Sequence, residues 1–286
     1  MIIIKLIGGL GNQMFQYAAG RRAAYVNNTQ LKLDITGYDH QVGITNREYM
    51  LHIFYINEQF ASQKEITACI KPVSFLSRII SRHTSSYVKE QYFHFDPKIL
   101  KPVNNRYLEG YWPSEKYFLD IGSIIRKDFT LKNKPDKTNI ALLKRISIYN
   151  SVSIHVRRSD YVSDQKTYDF HGVCGLDYYK KAISLIAEKT NNPHFFIFSD
   201  DPDWCKSNFR LQSSTIYVTH NLGVKDYEDM RLMSACKHNI IANSSFSWWG
   251  AWLNSNPNKI VMAPKKWFCD KSIDTKDLIP QDWIKI

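Results

Sequence analysis

The chain has 286 residues, of which 44% are hydrophobic and 23% are charged. This is ordinary globular usage, and it excludes a disordered tail protein, a collagen and a coiled coil. At roughly 100–200 residues per domain, the length allows two domains or one large one. No apolar run approaches the roughly 18–20 residues of a membrane span, and the first residues do not read as a signal peptide. We therefore expect a soluble or peripheral protein of the cytoplasm.

The net charge is +11, with 38 basic and 27 acidic residues. A basic chain suits nucleic acid, but the sequence carries no signature of a nucleic-acid-binding module, so we expect no such partner. The basic and apolar segment 66–89 could associate peripherally with an anionic membrane surface, although a solvated helix face is the simpler interpretation. The five cysteines are widely spaced without a Cys-x-x-Cys pair, which argues against a disulfide framework and a zinc site.

The first elements surround a glycine-rich turn. An apolar run over residues 2–7 predicts a strand, residues 12–26 predict a helix, and residues 31–33 predict a second strand. Between the first two lies Gly8-Gly9-Leu10-Gly11, where a ligand could approach the backbone and the helix N-terminus could bind an anion. A plain strand-to-helix turn is an equal alternative. Residues 40–125 show few clean periods, and the polar stretch 132–137 is the best linker, with a domain boundary near 146.

The second half alternates between strands and helices. Strands are predicted over 151–157, 194–199, 214–218, 239–242 and 259–263, and helices near 177–189, 226–237 and 245–253. In the first of these strands, Val152 and Ile154 share one face, and His155 and Arg157 share the other. The alternation predicts an α/β fold with a parallel, doubly wound sheet, in which ligands bind outside the carboxyl ends of the strands.

The carboxyl ends of the predicted strands carry polar side chains. Arg157 and Arg158 could bind a diphosphate without a metal ion, because a guanidinium fork matches phosphate oxygens. His155 could donate to a base or a sugar, and Asp160 could act as general base or orient an arginine. A structural ion pair between arginine and aspartate is an equally weighted alternative.

Two acidic motifs allow two interpretations each. Asp201 and Asp203 are paired carboxylates that suit a hard cation, but Asp-Pro-Asp after a strand is also a helix start, which we favour. Asp226 and Asp229 have the spacing of a capping box. The alternative for Asp229 is a carboxylate that accepts the N1–H and N2–H groups of guanine. On the residues alone, the cap is favoured.

The last motif is a strand followed by two serines at a helix start. Asn243, Ser244 and Ser245 lie where a phosphate could bind. Trp248 and Trp252 lie four residues apart on one face of the predicted helix, and we expect them in the core.

Taken together, these motifs are more specific than any one of them. GGLGNQMFQYA, HVRRSDYV, FFIFSDDPDWC and MSACKHNIIANSSFSWWGAWL occur in this order. The chain thereby resembles the α-1,2-fucosyltransferases of glycosyltransferase family 11 over residues 6–267. The resemblance implies a GT-B-like fold of two Rossmann-like domains facing a cleft. Residues 1–146 would form the acceptor side, and residues 147–286 would bind GDP-β-L-fucose.

The resemblance also implies the chemistry. L-Fucose would be transferred with inversion to O2 of a terminal β-galactose, without a metal ion or other cofactor. Arg157 matches the arginine that holds the β-phosphate, and Arg158 is its neighbour in the motif. The remaining expected substrate contacts are Gly9, Leu10, Asn12, Gln13, His155, Asp229, Asn243, Ser244, Ser245 and Phe246.

The general base is the least defined part of this prediction. In the α-1,6 branch a glutamate follows the motif histidine by ten residues, but Gln165 occupies that position here. Asp160 is the first candidate and Asp164 the second, and the departing diphosphate could itself take the proton. The alternatives for the whole protein are a metal-dependent glycosyltransferase using Asp201 and Asp203, and a nucleotide- or glycan-binding protein without catalysis. The expected acceptor is a bacterial surface glycan.

Overall fold

A computed structural model describes residues 1–39, 47–70, 86–101, 105–158, 161–162, 164–211, 213–221 and 223–286. The chain divides into two compact units. The first unit comprises Met1–Asn133 and Asp274–Leu278, and the second comprises Lys134–Ile273 and Ile279–Ile286. Each unit contains a parallel β-sheet, so the α/β class predicted from the sequence is confirmed.

The first unit has a four-stranded parallel sheet in the order β2-β1-β4-β3. Its strands are β1 (Ile2–Lys5), β2 (Leu31–Asp34), β3 (Tyr87–Lys89) and β4 (Arg106–Glu109). Its described α-helices are α1 (Leu10–Val26), α2 (Gln63–Ile70) and α3 (Gly122–Asp128). Short 3₁₀ helices cover Thr36–Tyr38, Leu51–Ile53, Pro97–Leu100, Glu115–Tyr117 and Leu119–Ile121.

The core of this unit forms where α1 lies directly on the sheet. The isoleucines of β1 are fully buried, as expected for an inner parallel strand. Gly20 of α1 permits this close approach, because a Cβ atom there would lie 2.9 Å from Cδ1 of Leu31 and 3.0 Å from Cβ of Ile4. The approach of α1 sets the position of the glycine-rich turn at its N-terminus.

The second unit has a six-stranded parallel sheet. Its strands are β5 (Asn150–Val156), β6 (Pro193–Ser199), β7 (Thr215–Val218), β8 (His238–Ile240), β9 (Val261–Ala263) and β10 (Ile284–Lys285). Its described α-helices are α4 (Lys137–Ile148), α5 (Gln165–His171), α6 (Leu176–Lys189), α7 (Pro202–Asn208), α8 (Tyr227–Ala235) and α9 (Ser245–Leu253). A 3₁₀ helix covers Gly223–Lys225.

The strand order of this sheet is β10-β9-β8-β5-β6-β7. From β5 the chain builds outward through β6 to β7, and then returns to the other side of β5 to form β8. The strand order therefore reverses between β5 and β8. In open parallel sheets a crevice forms at such a reversal, outside the carboxyl ends of the two strands, and ligands bind there.

The structure corrects the predicted alternation of β5. Both faces of this central strand are covered, so Ser153 and His155 are buried at 2% and 7% exposure along with their apolar neighbours. The two compact units also divide at Asn133 rather than near 146, because α4 belongs to the second unit. Residues 71–85, most of the segment considered for membrane contact, lie outside the described residues. Within the described residues, no helix combines the length and apolar character needed to cross a membrane.

Candidate functional site

Polar side chains from three strands converge at the carboxyl edge of the second sheet. Arg157 follows β5, Asp200 follows β6, and Ser244 follows β8. The register of the parallel strands pairs Val156 with Ser199, so the arginine and the aspartate emerge side by side. Helices α7, α8 and α9 all begin at this edge and direct their N-terminal turns towards it.

The two arginines are each paired with one aspartate. Nη1 of Arg157 lies 2.7 Å from Oδ2 of Asp200. Nε of Arg158 lies 3.1 Å from Oδ2 of Asp201, and its guanidinium carbon lies 4.0 Å from the ring centroid of Trp204. The backbone N–H of Arg158 also donates to Oδ1 of Asp200 at 2.8 Å. Arg158 is thus held against α7, whereas the half-buried side chain of Arg157 pairs with Asp200 and lies over the ring of Tyr161, with 5.5 Å between the guanidinium carbon and the ring centroid.

The Asp-x-Asp sequence is used for capping, as the helix-start interpretation expects. Oδ1 of Asp201 accepts the N–H of Trp204 at 3.1 Å, and Pro202 stands at the first position of α7. Asp203 is 91% exposed in its side chain and pairs with Lys206. Among the described residues, no group of three or more His, Cys, Asp or Glu side chains is arranged to hold a metal ion.

His155 lies beside the reversal point of the sheet and faces the start of α9. Its ring centroid lies 5.7 Å from that of Phe246, and its backbone carbonyl accepts the hydroxyl of Tyr179. Its Nδ1 atom is buried without a hydrogen-bond partner in the described chain. Burial, with a contribution from Arg157, lowers the pKa of His155 to about 3. The imidazole is therefore neutral at physiological pH and can offer a hydrogen bond but no charge.

The N-terminus of α9 lies on the other side of the reversal point. Ser244 is the N-cap residue in extended conformation, and its hydroxyl does not cap the helix. Ser244 and Ser245 are half-buried, so hydroxyl groups and helix N–H groups together form a surface suited to an anion. Trp248 and Trp252 are buried in the core, as predicted.

Asp229 lies in the first turn of α8, which packs against α9. A Cβ atom at Gly250 of α9 would lie 3.1 Å from Cβ of Met233 on α8. Oδ1 of Asp229 accepts from Nδ2 of Asn221 at 2.8 Å. Burial raises the pKa of Asp229 to about 7, despite this hydrogen bond. The predicted cap is wrong, because the Asp229 carboxylate is engaged by Asn221 and Asp226 makes no side-chain capping bond.

The side-chain amide of Asn243 binds backbone carbonyls of the protein. Its Nδ2 atom donates to the carbonyls of His171, Gly172 and Trp267, at 2.9, 3.3 and 3.1 Å. Its Oδ1 atom lies 3.5 Å from Sγ of Cys174. The amide therefore fastens two loops to the end of β8, rather than facing a ligand as expected from the sequence.

In the glycine-rich turn of the first unit, a residue predicted to contact the substrate is likewise hydrogen-bonded to the protein's own backbone. Gly8 has a φ of +77° and Gly9 is the N-cap residue of α1. Gln13 is fully buried, with Nε2 donating to the carbonyls of Gly8 and Glu48 and Oε1 accepting the N–H of Met50. Gln13 therefore holds the glycine-rich turn in place, and its side chain does not face a substrate.

Two further residues of this turn differ in exposure. Leu10 is 4% exposed and belongs to the core, which leaves it no surface for a substrate. Asn12 is half-buried, beside Gly8. Of the four residues of this turn expected to contact a substrate, Gly9 and Asn12 thus remain accessible.

The sequence offered Asp160 and Asp164 as candidates for the general base, and the structure describes Asp164 but not Asp160. Asp164 caps α5 by accepting from the N–H and the hydroxyl of Thr167, which lowers its pKa, so it is poorly suited to take up a proton. Asp160 lies outside the described residues. In the first unit, Glu90 is a half-buried carboxyl group that no sequence motif indicated; it follows β3 and accepts the N–H groups of Tyr111 and Trp112. Burial raises the pKa of Glu90 to about 6.

The comparisons with known proteins agree with this architecture. A family model for Glycosyl transferase family 11 matches residues 1–286. The chain is 37% identical to an alpha-1,2-colitosyltransferase of Escherichia coli, covering 100% of this chain and 99% of the relative. It is 33% identical to the O-antigen biosynthesis glycosyltransferase WbnK of Escherichia coli, covering 98% and 99%. It is 22% identical to galactoside alpha-(1,2)-fucosyltransferase 2 of Rattus norvegicus, covering 88% and 67%.

Two solved structures share the fold. One is the alpha-1,6-fucosyltransferase NodZ soaked with GDP-fucose, with a TM-score of 0.50, 14% identity and coverage of 90% of this chain and 96% of that one. The other is a variant of Arabidopsis thaliana FUT1 in complex with GDP, with a TM-score of 0.51, 12% identity and coverage of 98% and 74%. The fold is therefore GT-B-like, and the protein is a glycosyltransferase. The chain belongs to glycosyltransferase family 11.

Proposed function

We propose that the protein transfers L-fucose from GDP-β-L-fucose to O2 of a terminal β-galactose, with inversion and without a metal ion. The family membership and the likeness to a galactoside alpha-(1,2)-fucosyltransferase support this reaction. The observation that carries it is the position of Arg157, at the carboxyl end of β5 beside the reversal of strand order, with the N-terminus of α9 following the neighbouring strand β8.

The diphosphate of the donor would occupy this edge. Arg157 provides a charged donor, and the N-terminal turn of α9 provides N–H groups and the Ser244 and Ser245 hydroxyls. The neutral imidazole of His155 and the ring of Phe246 line the same crevice. Two sources of positive potential thus lie on adjacent strands, which suits a group with two linked phosphates.

The base of the nucleotide would extend from α9 towards α8. The first turns of these two packed helices lie at the same edge, and Asp229 lies in the first turn of α8. An ionised carboxylate accepts hydrogen bonds and cannot donate them. It therefore suits guanine, which presents N1–H and N2–H as adjacent donors.

The reaction would be a single displacement. O2 of the acceptor galactose forms a bond to C1 of fucose while the bond from C1 to the β-phosphate oxygen breaks, and GDP leaves with that electron pair. Arg157 would stabilise the charge that grows on the leaving diphosphate. The proton of the acceptor hydroxyl passes to a carboxylate, for which Asp160 is the first candidate, or to the departing GDP.

Metal independence is part of the proposal. Both oxygens of Asp201 are engaged, one with the N–H of Trp204 and the other with Arg158. Asp203 points to solvent beside Lys206. This arrangement supports a role of the Asp-x-Asp motif in folding, and Arg157 would then compensate the charge of the leaving group.

GDP-colitose is the second candidate donor. The 37% identity to a colitosyltransferase, over the full length of both chains, favours it. Colitose differs from fucose in lacking the hydroxyl at C3. A site that binds this hydroxyl by hydrogen bonds strongly rejects the sugar without it, since its own polar groups would be left unpaired.

The experiment compares the two donors directly. Purified protein is given lactose and EDTA with either GDP-fucose or GDP-colitose, and GDP release is measured. A higher kcat/KM with GDP-fucose supports the proposed donor, and a higher value with GDP-colitose replaces it. Activity that returns only on addition of Mn²⁺ contradicts metal independence. Binding of both donors without turnover on any galactoside favours the non-catalytic alternative.

We also propose that the natural acceptor is a lipid-linked oligosaccharide of a bacterial surface glycan. The likeness to an O-antigen biosynthesis glycosyltransferase supports this choice. Such an acceptor would bring the protein to the cytoplasmic face of a membrane.

A further inference from the structure

Two buried amide side chains lie behind Asp229 in the second unit. Asn139, in the first turn of α4, is fully buried, and Asn221, in the loop after β7, is 2% exposed. Nδ2 of Asn139 donates to Oδ1 of Asn221 at 2.9 Å, and Nδ2 of Asn221 donates back to Oδ1 of Asn139 at 3.0 Å. The two side chains, which we call the amide pair, join segments 82 positions apart in the sequence.

The hydrogen-bond partners of the amide pair allow only one orientation of the Asn221 amide. Nδ2 of Asn221 also donates to Oδ1 of Asp229 at 2.8 Å. An ionised carboxylate only accepts, so Asn221 must turn its NH₂ group towards Asp229 and its carbonyl towards Asn139. Nε2 of His220 lies 2.9 Å from Oδ1 of Asn139, so this ring nitrogen carries a hydrogen. Asn139 is also anchored through its backbone N–H to Asp136.

This arrangement fixes one oxygen of Asp229 and leaves the other for a ligand. Within the described chain, the second oxygen, Oδ2, accepts no hydrogen bond from the protein. With Oδ1 held by a buried and fully paired amide, the carboxylate cannot rotate without breaking the chain of hydrogen bonds. Its Oδ2 therefore has a fixed direction at the carboxyl edge of the sheet.

We propose that Asn221 and Asn139 are positioning residues that hold Asp229 for the recognition of guanine and thereby set the base specificity of the donor site. This inference rests on the proposed function, since it assigns the base of a GDP-sugar to Asp229. Adenine presents the acceptor N1 where guanine presents N1–H. A carboxylate held in place would face the lone pair of that nitrogen and reject the base.

The amide pair would act on the nucleotide indirectly, through Asp229. An experiment can distinguish this role from that of a residue that contacts the nucleotide. Asn139 touches neither Asp229 nor the ligand position, and acts only by fixing the orientation of Asn221. Its removal takes away the anchor on the far side of the Asn221 amide, so that Asn221 and the carboxylate bonded to it are no longer fixed in position. Asn139 and Asn221 therefore belong to one chain, and the effects of replacing them should not add.

The test measures the dissociation constants of GDP and ADP by calorimetry for the wild type, Asn221→Ala, Asn139→Ala and the double variant. We expect each single variant to bind GDP about 10–100-fold more weakly, the range for one hydrogen bond to a charged group. ADP binding stays within about twofold, the double variant resembles Asn221→Ala, and KM for the donor rises while kcat stays nearly constant.

Asn254→Ala is the matched control. Asn254 is also 2% exposed, and it donates to the carbonyl of Cys236 and to Oδ1 of Asn239 after the C-terminus of α9. We expect this variant to lose stability but to keep the affinity for GDP. If the alanine variants do not fold, Asn221→Asp retains the volume and places an acceptor against Asp229, and it should weaken GDP binding selectively.

The outcomes separate the inference from the proposed function. A wild type that does not bind GDP overturns the proposed function, and this inference with it. A wild type that binds GDP while Asn221→Ala and Asn139→Ala bind it equally well overturns the inference alone. Equal weakening of GDP and ADP, or additive effects in the double variant, also overturns it, because either result is that of a general loss of structure.

Discussion

The ring of His155 lies 5.7 Å from the ring of Phe246, centroid to centroid, and this contact joins the end of β5 to the first turn of α9 across the reversal of strand order. His155 is 7% exposed and stays neutral, since burial lowers its pKa to about 3. The contact therefore closes the crevice with an apolar ring and an uncharged imidazole. The charged groups nearest to this contact are Arg157 and its partner Asp200, and the first turn of α9 provides N–H groups.

A buried neutral histidine predicts a loss of stability in acid. The unfolded chain takes up a proton below pH of about 6.5 and the folded chain does not, so folding becomes less favourable as the pH falls. Between pH 7.5 and pH 5, His155 alone should lower the free energy of unfolding by about 2 kcal/mol. Urea denaturation of the wild type and His155→Gln at both pH values checks this. An unchanged pH dependence in the variant contradicts it, and His52→Gln at an exposed site is the control.

Gly8 and Gly9 should respond differently to alanine. Gly8 has a φ of +77°, and a Cβ atom there would lie 2.7 Å from Nδ2 of Asn12. Gly8→Ala should therefore cost at least about 1–2 kcal/mol of stability. Gly9 has a φ of −78°, and its Cβ atom would only reach Arg47 at 4.0 Å.

Gly9→Ala should therefore lose less stability than Gly8→Ala, with a cost that comes from the lower preference of alanine for the N-cap position of α1. If a substrate approaches the backbone at Gly9, this variant should still lose about 10–100-fold in kcat/KM, because the added methyl group displaces the substrate. Thermal unfolding and initial rates on the two variants measure these effects. Full activity of Gly9→Ala would exclude a close approach at this turn.

Asn243 should matter for stability and not for donor affinity. Its Nδ2 atom satisfies three backbone carbonyls, and Asn243→Ala leaves these without a partner. We expect a loss of about 2–4 kcal/mol in chemical denaturation, with GDP affinity of the folded protein unchanged. Ser245→Ala, in the neighbouring helix turn, provides the comparison and should show the reverse. A selective loss of GDP affinity in Asn243→Ala would restore its predicted role as a donor contact.

The pKa of Asp229, which burial raises to about 7, predicts a pH dependence of nucleotide binding. Guanine requires the ionised carboxylate, so GDP affinity should rise about tenfold between pH 6 and pH 8 and then level off. Calorimetric titration at several pH values, with Asp229→Asn as control, measures it. The variant should bind GDP weakly with a smaller pH dependence. The same pH profile in both proteins would mean that another group titrates.

The raised pKa of Asp229 affects stability in the opposite direction to nucleotide affinity. As the pH rises, GDP affinity should rise, whereas the free energy of unfolding should fall. Between pH of about 4 and pH 7 the folded chain binds the proton at Asp229 and the unfolded chain does not. Asp229 therefore contributes a loss of stability as the pH rises through this window. Asp229→Asn should remove that contribution, and unfolding at pH 5 and pH 7 compares the two.

The sequence predicted the second sheet well because its strands are continuous apolar runs separated by clear turns. It placed α9 at Ser245–Leu253 because two serines precede an uninterrupted apolar helix. The interpretation of Asp201 as a cap was confirmed for a similar reason, since the Asp-Pro-Asp pattern is local.

The sequence did not reveal which polar side chains form hydrogen bonds within the protein and are therefore not free to bind a substrate. Gln13 and Asn243 lie in motifs at the edges of the sheets, and only the fold shows that their amides bind carbonyls of distant loops. The amide pair of Asn139 and Asn221 gave no signal at all, because its members are far apart in the chain. Buried polar networks depend on tertiary contacts, and no local pattern encodes them.

The most direct test of the proposed reaction is GDP release from GDP-fucose, with and without lactose, in the presence of EDTA, for the wild type, Arg157→Ala and Arg157→Lys. We expect lactose-dependent release by the wild type and a loss of about 10²–10³ in kcat for Arg157→Ala. Arg157→Lys should recover part of this activity because it retains the charge. Arg145→Ala, at an exposed arginine of α4, should be fully active. Normal turnover by Arg157→Ala would contradict the assignment of leaving-group stabilisation to this residue.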